Sequence, residues 1–311
     1  MLSRFFSKSQ PFVFVILALY LLSGFVLAFV YSSPADITLL LISKKTGVYL
    51  LLVFMLLLIN FICKRNKIDQ QNAFAILFFS ALALNYLQSL INFDSVFTAV
   101  LTLLFIRRLL NLKNNSRHKK KIFEASFFLF FVVLINPALL PLVIVLFTGI
   151  ATYSYDDVRN FLVPVIAFSS AYMLCQIYCQ LVDDKWFYLF KVFSSINYSF
   201  SFYNTIELII AFIITCIFTL FMAVMVLKDV NQTNVQRRLM LRLISFTGLI
   251  LLGSALFLSD QNGDVLFVYH AVVALQAGNI IRFKRKWMNE AIVLFFFLSG
   301  GFTLLSGFLN L

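Results

Sequence analysis

Long apolar stretches separated by short polar segments recur along almost the whole chain. The stretch from Ile206 to Leu227 carries a single charged residue, Glu207, close to its start. At about 1.5 Å per residue, a helix of this length crosses the roughly 30 Å hydrocarbon core of a bilayer. A membrane β-strand would instead be about ten residues long and would alternate apolar with polar positions. The pattern therefore predicts membrane-spanning helices.

Reading the chain for such stretches predicts about eleven spans, within a range of ten to twelve. They cover 11–32, 46–63, 73–91, 95–112, 122–136, 138–154, 161–182, 205–227, 243–259, 264–281 and 291–309. The fifth and sixth are short and meet at Asn136-Pro137, which fits either a hairpin that does not fully cross or one broken helix. The first is longer than the apolar core of a signal peptide, which favours an uncleaved span.

The predicted fold class is therefore all-α, a polytopic transmembrane helical bundle in which residues 1–311 form one domain. The composition agrees, since 62% of the residues are hydrophobic and only 12% are charged. Soluble domains contain about 45–50% apolar and about 25% charged residues, and disordered chains are still more polar. Both classes are excluded.

Basic residues predict the orientation of the bundle. If the N-terminus is cytoplasmic, only Lys44, Lys45, Lys185 and Lys191 of the 25 Lys and Arg residues fall on the outer side. Cytoplasmic loops of membrane proteins carry just such an excess of Lys and Arg. The net charge of +12 is then a topology signal with headgroup contacts, and we expect no nucleic-acid partner. The predicted location is a bacterial inner membrane.

Few residues inside the spans carry chemistry. His270 lies alone within a predicted span, where a polar ring usually faces the bundle interior or a cavity. It is either a packing residue with a hydrogen bond or the wall of a substrate site. No phosphate loop, dinucleotide motif or zinc-ligand spacing is present, which excludes an ATPase. The cofactor stays unknown, with a divalent metal as one option.

Acidic residues outnumber basic ones only on the predicted outer side. Asp183 and Asp184 lie at the start of the largest outer loop, 184–204, which has apolar residues spaced three to four apart. That spacing predicts an amphipathic helix in the headgroup layer. Such a helix either guides a lipid-linked substrate toward the two aspartates or anchors the bundle as an aromatic belt.

One stretch resembles a known family. Asp94-Ser95-Val96-Phe97 leads into a span ending in Arg107 and Arg108, followed by a basic loop and then Leu134-Ile135-Asn136-Pro137-Ala138-Leu139-Leu140-Pro141. This order is similar to the middle of the GT-C superfamily of polytopic glycosyltransferases, which use lipid-linked sugars at the outer face of the membrane. The resemblance implies that Asp36 matches the catalytic acid of the first outer loop and Asp94 an acidic residue of the second.

The opening Arg4-Phe5-Phe6-Ser7-Lys8-Ser9 also resembles inner-membrane proteins of Bacteroidota, a likeness that implies no activity. Three functional hypotheses follow. In the first, a glycosyltransferase acts on a lipid-linked glycan: Asp36 is a base or metal ligand, Asp94 a second ligand, Asp183 and Asp184 contact substrate or metal, and His270 lines the site. In the second, the chain is a non-catalytic subunit of an envelope secretion or glycan-export complex, with other membrane proteins as partners. In the third, it is a transporter.

Overall fold

A computed structural model supplies the structure of most of the chain. It describes residues 5–6, 10–32, 38–68, 72–114, 117–154, 157–183, 186–187, 212–213, 215–217, 219, 235–257, 263–277 and 286–309. These limits leave out most of two predicted elements. The predicted span 205–227 is described only between 212 and 219, where the described residues are helical. The predicted interfacial helix 184–204 lies outside the described residues except for Trp186 and Phe187.

The longer helices of the described residues are labelled here in chain order. They are α1 (Pro11–Tyr31), α2 (Leu39–Asn66), α3 (Phe74–Ala83), α4 (Leu87–Ile91), α5 (Phe93–Leu110), α6 (His118–Ile135), α7 (Leu142–Tyr153), α8 (Val163–Asp183), α9 (Val235–Phe257), α10 (Asp264–Ala277) and α11 (Lys286–Leu309). Short 3-10 turns cover Asn111–Lys113, Pro137–Leu139 and Val158–Phe161. The prediction of an all-α chain is confirmed.

Five of the described helical segments are long and apolar enough to cross a membrane. They are Pro11–Val30, Leu39–Asn66, Phe93–Lys113, Val158–Val182 and Val235–Ala255. Shorter apolar helices cover Phe74–Ala83, Pro137–Tyr153, Asp264–Ala277 and Asn289–Gly301. The chain is thus a multi-pass membrane protein, while the count of eleven spans and their orientation remain predictions.

The segment 73–91, predicted as one span, forms two helices in the structure. Helix α3 ends at Ala83 and α4 begins at Leu87, although neither Pro nor Gly lies between them. The backbone amides of Asn85 and Tyr86 donate to the carbonyls of Leu82 and Ala83, at 3.2 and 3.1 Å. These bonds reach back only three residues, so the chain turns more tightly there than an α-helix does.

Helices α3 and α10 form the centre of the bundle. All ten residues of α3 are buried, and so is every residue of α10 after Asp264. The two helices pack on each other, and α11 packs on α3 through Gly300. A Cβ atom added at Gly300 would lie 2.7 Å from the carbonyl oxygen of Ala81, so the close approach of these two helices requires glycine. Apolar side chains therefore fill the interior as well as the lipid-facing surface.

Helices α2, α5 and α10 all begin at the same end of the bundle. The Lys45 ammonium, near the start of α2, donates to the carbonyl of Ile91 just before α5, at 3.0 Å. Ser95 of α5 donates to Asp264, the first residue of α10. We call this end, where α5 begins, the Asp94 end, and the opposite end of α5 the Arg107 end. At the rise of an α-helix the two are about 20 Å apart.

Candidate functional site

The beginning of α5 places Asp94 at the surface of the Asp94 end. Asn92 caps the helix, since its side-chain oxygen accepts a hydrogen bond from the backbone amide of Asp94 at 3.2 Å. The Asp94 side chain is exposed in the first turn of α5. A carboxylate in this position interacts favourably with the positive end of the helix dipole.

A second carboxylate meets the same helix end from a distant part of the sequence. Asp264 begins α10, and its carboxylate accepts hydrogen bonds from the hydroxyls of Ser95 and Ser89. Both serine side chains are buried. Asp94 directly precedes Ser95, so its carboxylate belongs to the helix end that contacts Asp264. Three helices, α4, α5 and α10, therefore converge on the partly buried carboxylate of Asp264, and Asp94 lies exposed on the same helix end.

This arrangement suits a positively charged group. Two neighbouring carboxylates repel each other unless a cation or a proton lies between them. The four carboxylate oxygens are ligands of the kind that Mg²⁺ and Ca²⁺ prefer. Among the described residues, no group of three or more His, Cys, Asp or Glu side chains is placed to hold a metal ion.

The residues predicted from the sequence fall in different places. Asp36 and Asp184 lie outside the described residues, and for Asp183 the structure describes the backbone, which ends α8. Of the predicted catalytic residues, the structure therefore positions Asp94. Asp264 is not among the site residues predicted from the sequence, although it shares a visible signal with Asp94, since each is an acidic residue at the start of an apolar helix.

His270 lies deeper in the bundle, about 9 Å along α10 from Asp264. The His270 ring is completely buried, and its Nε2 atom lies 3.0 Å from the hydroxyl of Thr215. The Tyr86 hydroxyl is 3.3 Å from the same threonine oxygen, and the Tyr86 and His270 rings are 5.3 Å apart. His270 thus faces the bundle interior and connects α10 to the break between α3 and α4.

An apolar groove lies between α6 and α8, with a volume of about 390 Å³. Its lining consists of Phe131, Leu134, Leu174, Cys175, Tyr178, Cys179 and Phe187. Phe187 is fixed there because its amide donates to Gln176 at 3.1 Å and its carbonyl accepts from Tyr172 at 3.3 Å. Helix α6 runs opposite to α5, because Glu124 near its start pairs with Arg108 at 2.7 Å. The groove therefore opens in the half of α6 nearer the Asp94 end.

The Arg107 end has the opposite charge and a different set of contacts. Several cations there donate to backbone carbonyls where helices end: Lys121 to Asn111 and Asn114, Lys113 to Asn66, and Arg237 to Ile68, at 2.7 to 3.4 Å. The carbonyls at a helix C-terminus lack partners within the helix and carry partial negative charge. Lys113, Lys121 and Arg237, which contribute to the predicted orientation, thus also cap helices.

Comparison with protein-family models, with curated proteins and with solved structures finds no match in any of the three.

Proposed function

We propose that this multi-pass membrane protein is a GT-C-like glycosyltransferase that acts on a lipid-linked sugar at the Asp94 end. The observation that carries the proposal is the hydrogen bond from Ser95, the neighbour of Asp94, to Asp264, which joins two acidic helix ends that are far apart in sequence. The resemblance of the segment around Asp94 to the GT-C superfamily supports the same end of the bundle. The proposed substrate is a sugar joined through phosphate to a membrane lipid.

The chemistry of such a transfer assigns separate tasks to the acidic residues. The acceptor oxygen forms a bond to the anomeric carbon of the sugar, and the bond from that carbon to the phosphate oxygen breaks with its electron pair on the phosphate. The proton of the acceptor hydroxyl goes to a carboxylate base, a role that our hypothesis gives to Asp36. Asp94 and Asp264 would hold a divalent cation, which supplies positive charge for the phosphate leaving group.

The position of Asp264 suits this task. Its carboxylate is held by two serine hydroxyls, so it does not need to reorganise when a cation binds beside it. Asp94 is exposed and accessible to a headgroup at the membrane surface. The apolar groove between α6 and α8, in the same half of the bundle, offers space for part of a lipid chain.

Binding of the lipid carrier tests the proposal whichever sugar the carrier bears. The probe is undecaprenyl phosphate, and native mass spectrometry measures how much of it the purified full chain retains with and without Mg²⁺. We expect Mg²⁺-dependent retention that falls at least tenfold in Asp94→Asn and Asp264→Asn. The matched control is Asp157→Asn, which removes a partly exposed carboxylate at the Arg107 end and should leave retention unchanged. Retention that is independent of Mg²⁺, or equal in all variants, would contradict the proposal.

One observation favours transport as a second candidate. The break between α3 and α4 lies beside the buried Tyr86, Thr215 and His270, and interrupted helices often form the binding sites of transporters. Asn85, within the break, has a buried side-chain amide with no hydrogen-bond partner among the described residues. Proton uptake into vesicles containing the protein, followed with an internal pH dye, tests this candidate. It requires that His270→Leu abolish the uptake and that Asp94→Asn preserve it.

A further inference from the structure

Two guanidinium groups share one aromatic ring at the Arg107 end. The central carbon of the Arg107 guanidinium lies 4.6 Å from the centre of the Phe61 ring, and that of Arg65 lies 5.7 Å from the same point. Arg65 is one turn beyond Phe61 on α2, whereas Arg107 comes from the neighbouring helix α5. We propose that these side chains form a binding site for the phosphate of an anionic phospholipid. This inference does not rest on the proposed function.

Neither guanidinium forms an ion pair within the described residues. Arg108, the neighbour of Arg107, pairs with Glu124 at 2.7 Å, but the described residues provide no carboxylate at ion-pair distance for Arg65 or Arg107. The Nε atom of Arg107 is buried and has no hydrogen-bond partner in that part of the chain. Two like charges at one ring repel each other, so an anion that contacts both is stabilised.

The surface that leads to this site fits a lipid tail. Leu50, Phe54, Leu57 and Phe61 recur at spacings of three and four residues, so they lie on one face of α2. All four side chains are exposed, with exposed fractions of 62, 46, 51 and 38% in chain order. The row is about 16 Å long at the rise of an α-helix, close to the thickness of one leaflet. An acyl chain along this row would place its headgroup beside Arg65.

The combination distinguishes a lipid from a soluble anion. A free phosphate would gain only the two guanidinium contacts, whereas a phospholipid also gains apolar contact along α2. The two arginines supply donors in a planar fork, which matches phosphate oxygens better than a lysine does. The bound species is therefore an anionic phospholipid such as phosphatidylglycerol, with its phosphate between the arginines and one chain along the row.

Native mass spectrometry of the full chain with phosphatidylglycerol and phosphatidylcholine of matched chains tests this site. We expect the protein to retain phosphatidylglycerol in preference to phosphatidylcholine. Either Arg65→Gln or Arg107→Gln should reduce the retention of phosphatidylglycerol about fivefold, because one basic residue contributes about 1 kcal/mol to the attraction of an anionic membrane surface. The matched control is Arg159→Gln, which removes an exposed cation at the same end of the bundle and should change retention by less than about twofold. Arg107→Lys, which keeps the charge but loses the fork, should show an intermediate loss.

Three outcomes would overturn the proposal. Equal retention of the two lipids would remove the preference for an anionic headgroup. An equal loss in Arg159→Gln would show a diffuse charge effect with no defined site. Displacement of the lipid by inorganic phosphate, compared with chloride at the same ionic strength, would show a site for soluble phosphate. A thermal unfolding curve of each variant, recorded on the same sample, identifies a loss of retention that is caused by unfolding.

Discussion

The two ends of helix α5 each hold a pair of like charges, but they hold them in different ways. At the Asp94 end, serine hydroxyls from two helices fix Asp264, and Asp94 lies exposed beside it. At the Arg107 end, the guanidinium groups of Arg65 and Arg107 both lie over the Phe61 ring. Neighbouring cations donate to helix carbonyls or pair with Glu124. The first arrangement is directional and partly buried, whereas in the second Arg65 is exposed and Arg107 is partly buried. In our two proposals, the Asp94 end binds a cation and the Arg107 end binds a phosphate.

The largest expected effect concerns the rigid member of the acidic pair. Asp264→Ala removes an acceptor of two hydrogen bonds and leaves two buried serine hydroxyls without it. Hydrogen bonds to a charged group contribute about 1.5–3 kcal/mol each, so the loss of two should lower the free energy of unfolding by about 3–6 kcal/mol. The measurement is equilibrium unfolding in mixed detergent micelles.

Asp94→Ala is the matched variant for this prediction. Its side chain is exposed, so the free energy of unfolding should change by about 0.5 kcal/mol or less. A loss as large as that of Asp264→Ala would mean that both carboxylates are structural, and it would remove the asymmetry on which the cation-binding end depends.

A packing change near the Arg107 end should affect lipid retention at that end and not at the Asp94 end. Gly149 of α7 lies against Leu109 of α5, and an added Cβ would come within 2.6 Å of that fully buried side chain. We expect Gly149→Val to lower the free energy of unfolding by about 1–3 kcal/mol through overpacking. Phosphatidylglycerol retention at the neighbouring Arg107 should fall, while Mg²⁺-dependent retention of undecaprenyl phosphate should not.

The control for this packing change is Gly253→Val in α9. Apart from its chain neighbours and its own helix backbone, no atom of the described residues lies within 4 Å of a Cβ added at Gly253, so we expect this variant to retain the lipids as the wild type does. If Gly149→Val weakened the retention of phosphatidylglycerol and of undecaprenyl phosphate equally, the two ends would be parts of a single cooperative unit.

A smaller effect is expected from the ion pair beside the arginine site. Arg108 and Glu124 are partly exposed, with side-chain accessibilities of 33 and 26%. Ion pairs of this kind contribute about 0.2–1 kcal/mol, so Arg108→Gln should lower the free energy of unfolding by less than about 1 kcal/mol. Retention of phosphatidylglycerol should be preserved, because Arg65 and Arg107 remain. A loss as large as in Arg107→Gln would show that the site is a general basic patch.

The smallest effect is a titration at the Arg107 end. The backbone amide of Arg159 and the side chain of Lys119 hold the pKa of the Asp157 carboxyl below its usual range. Because the pKa is lower in the folded chain, the Asp157 carboxylate stabilises the fold at pH values above the usual aspartate pKa. This stabilisation is lost as the pH falls through the lowered pKa of the folded chain. Carboxyl carbon NMR should show Lys119→Gln raising the pKa of Asp157, and no change would contradict the contact.

The sequence predicts the helices well, because both lipid and bundle interior demand long apolar segments. It misses the break between Ala83 and Leu87, because no Pro or Gly marks that turn. It also misses the pairing of Ser95 with Asp264, because contact between residues so distant in sequence depends on how α5 and α10 pack. The two arginines are visible only as a topology signal, since their common ring comes from helix packing. Asp36 and Asp184 stay predictions from the sequence.

The most direct test of the opposite ends is a competition between two lipids in one native mass spectrometry experiment. Wild type, Asp94→Asn and Arg107→Gln are each mixed with undecaprenyl phosphate, phosphatidylglycerol and Mg²⁺. We expect Asp94→Asn to lose undecaprenyl phosphate and keep phosphatidylglycerol, and Arg107→Gln to lose phosphatidylglycerol and keep undecaprenyl phosphate. The opposite roles of the two ends would be contradicted if either variant lost both lipids, or if Arg107→Gln lost only undecaprenyl phosphate.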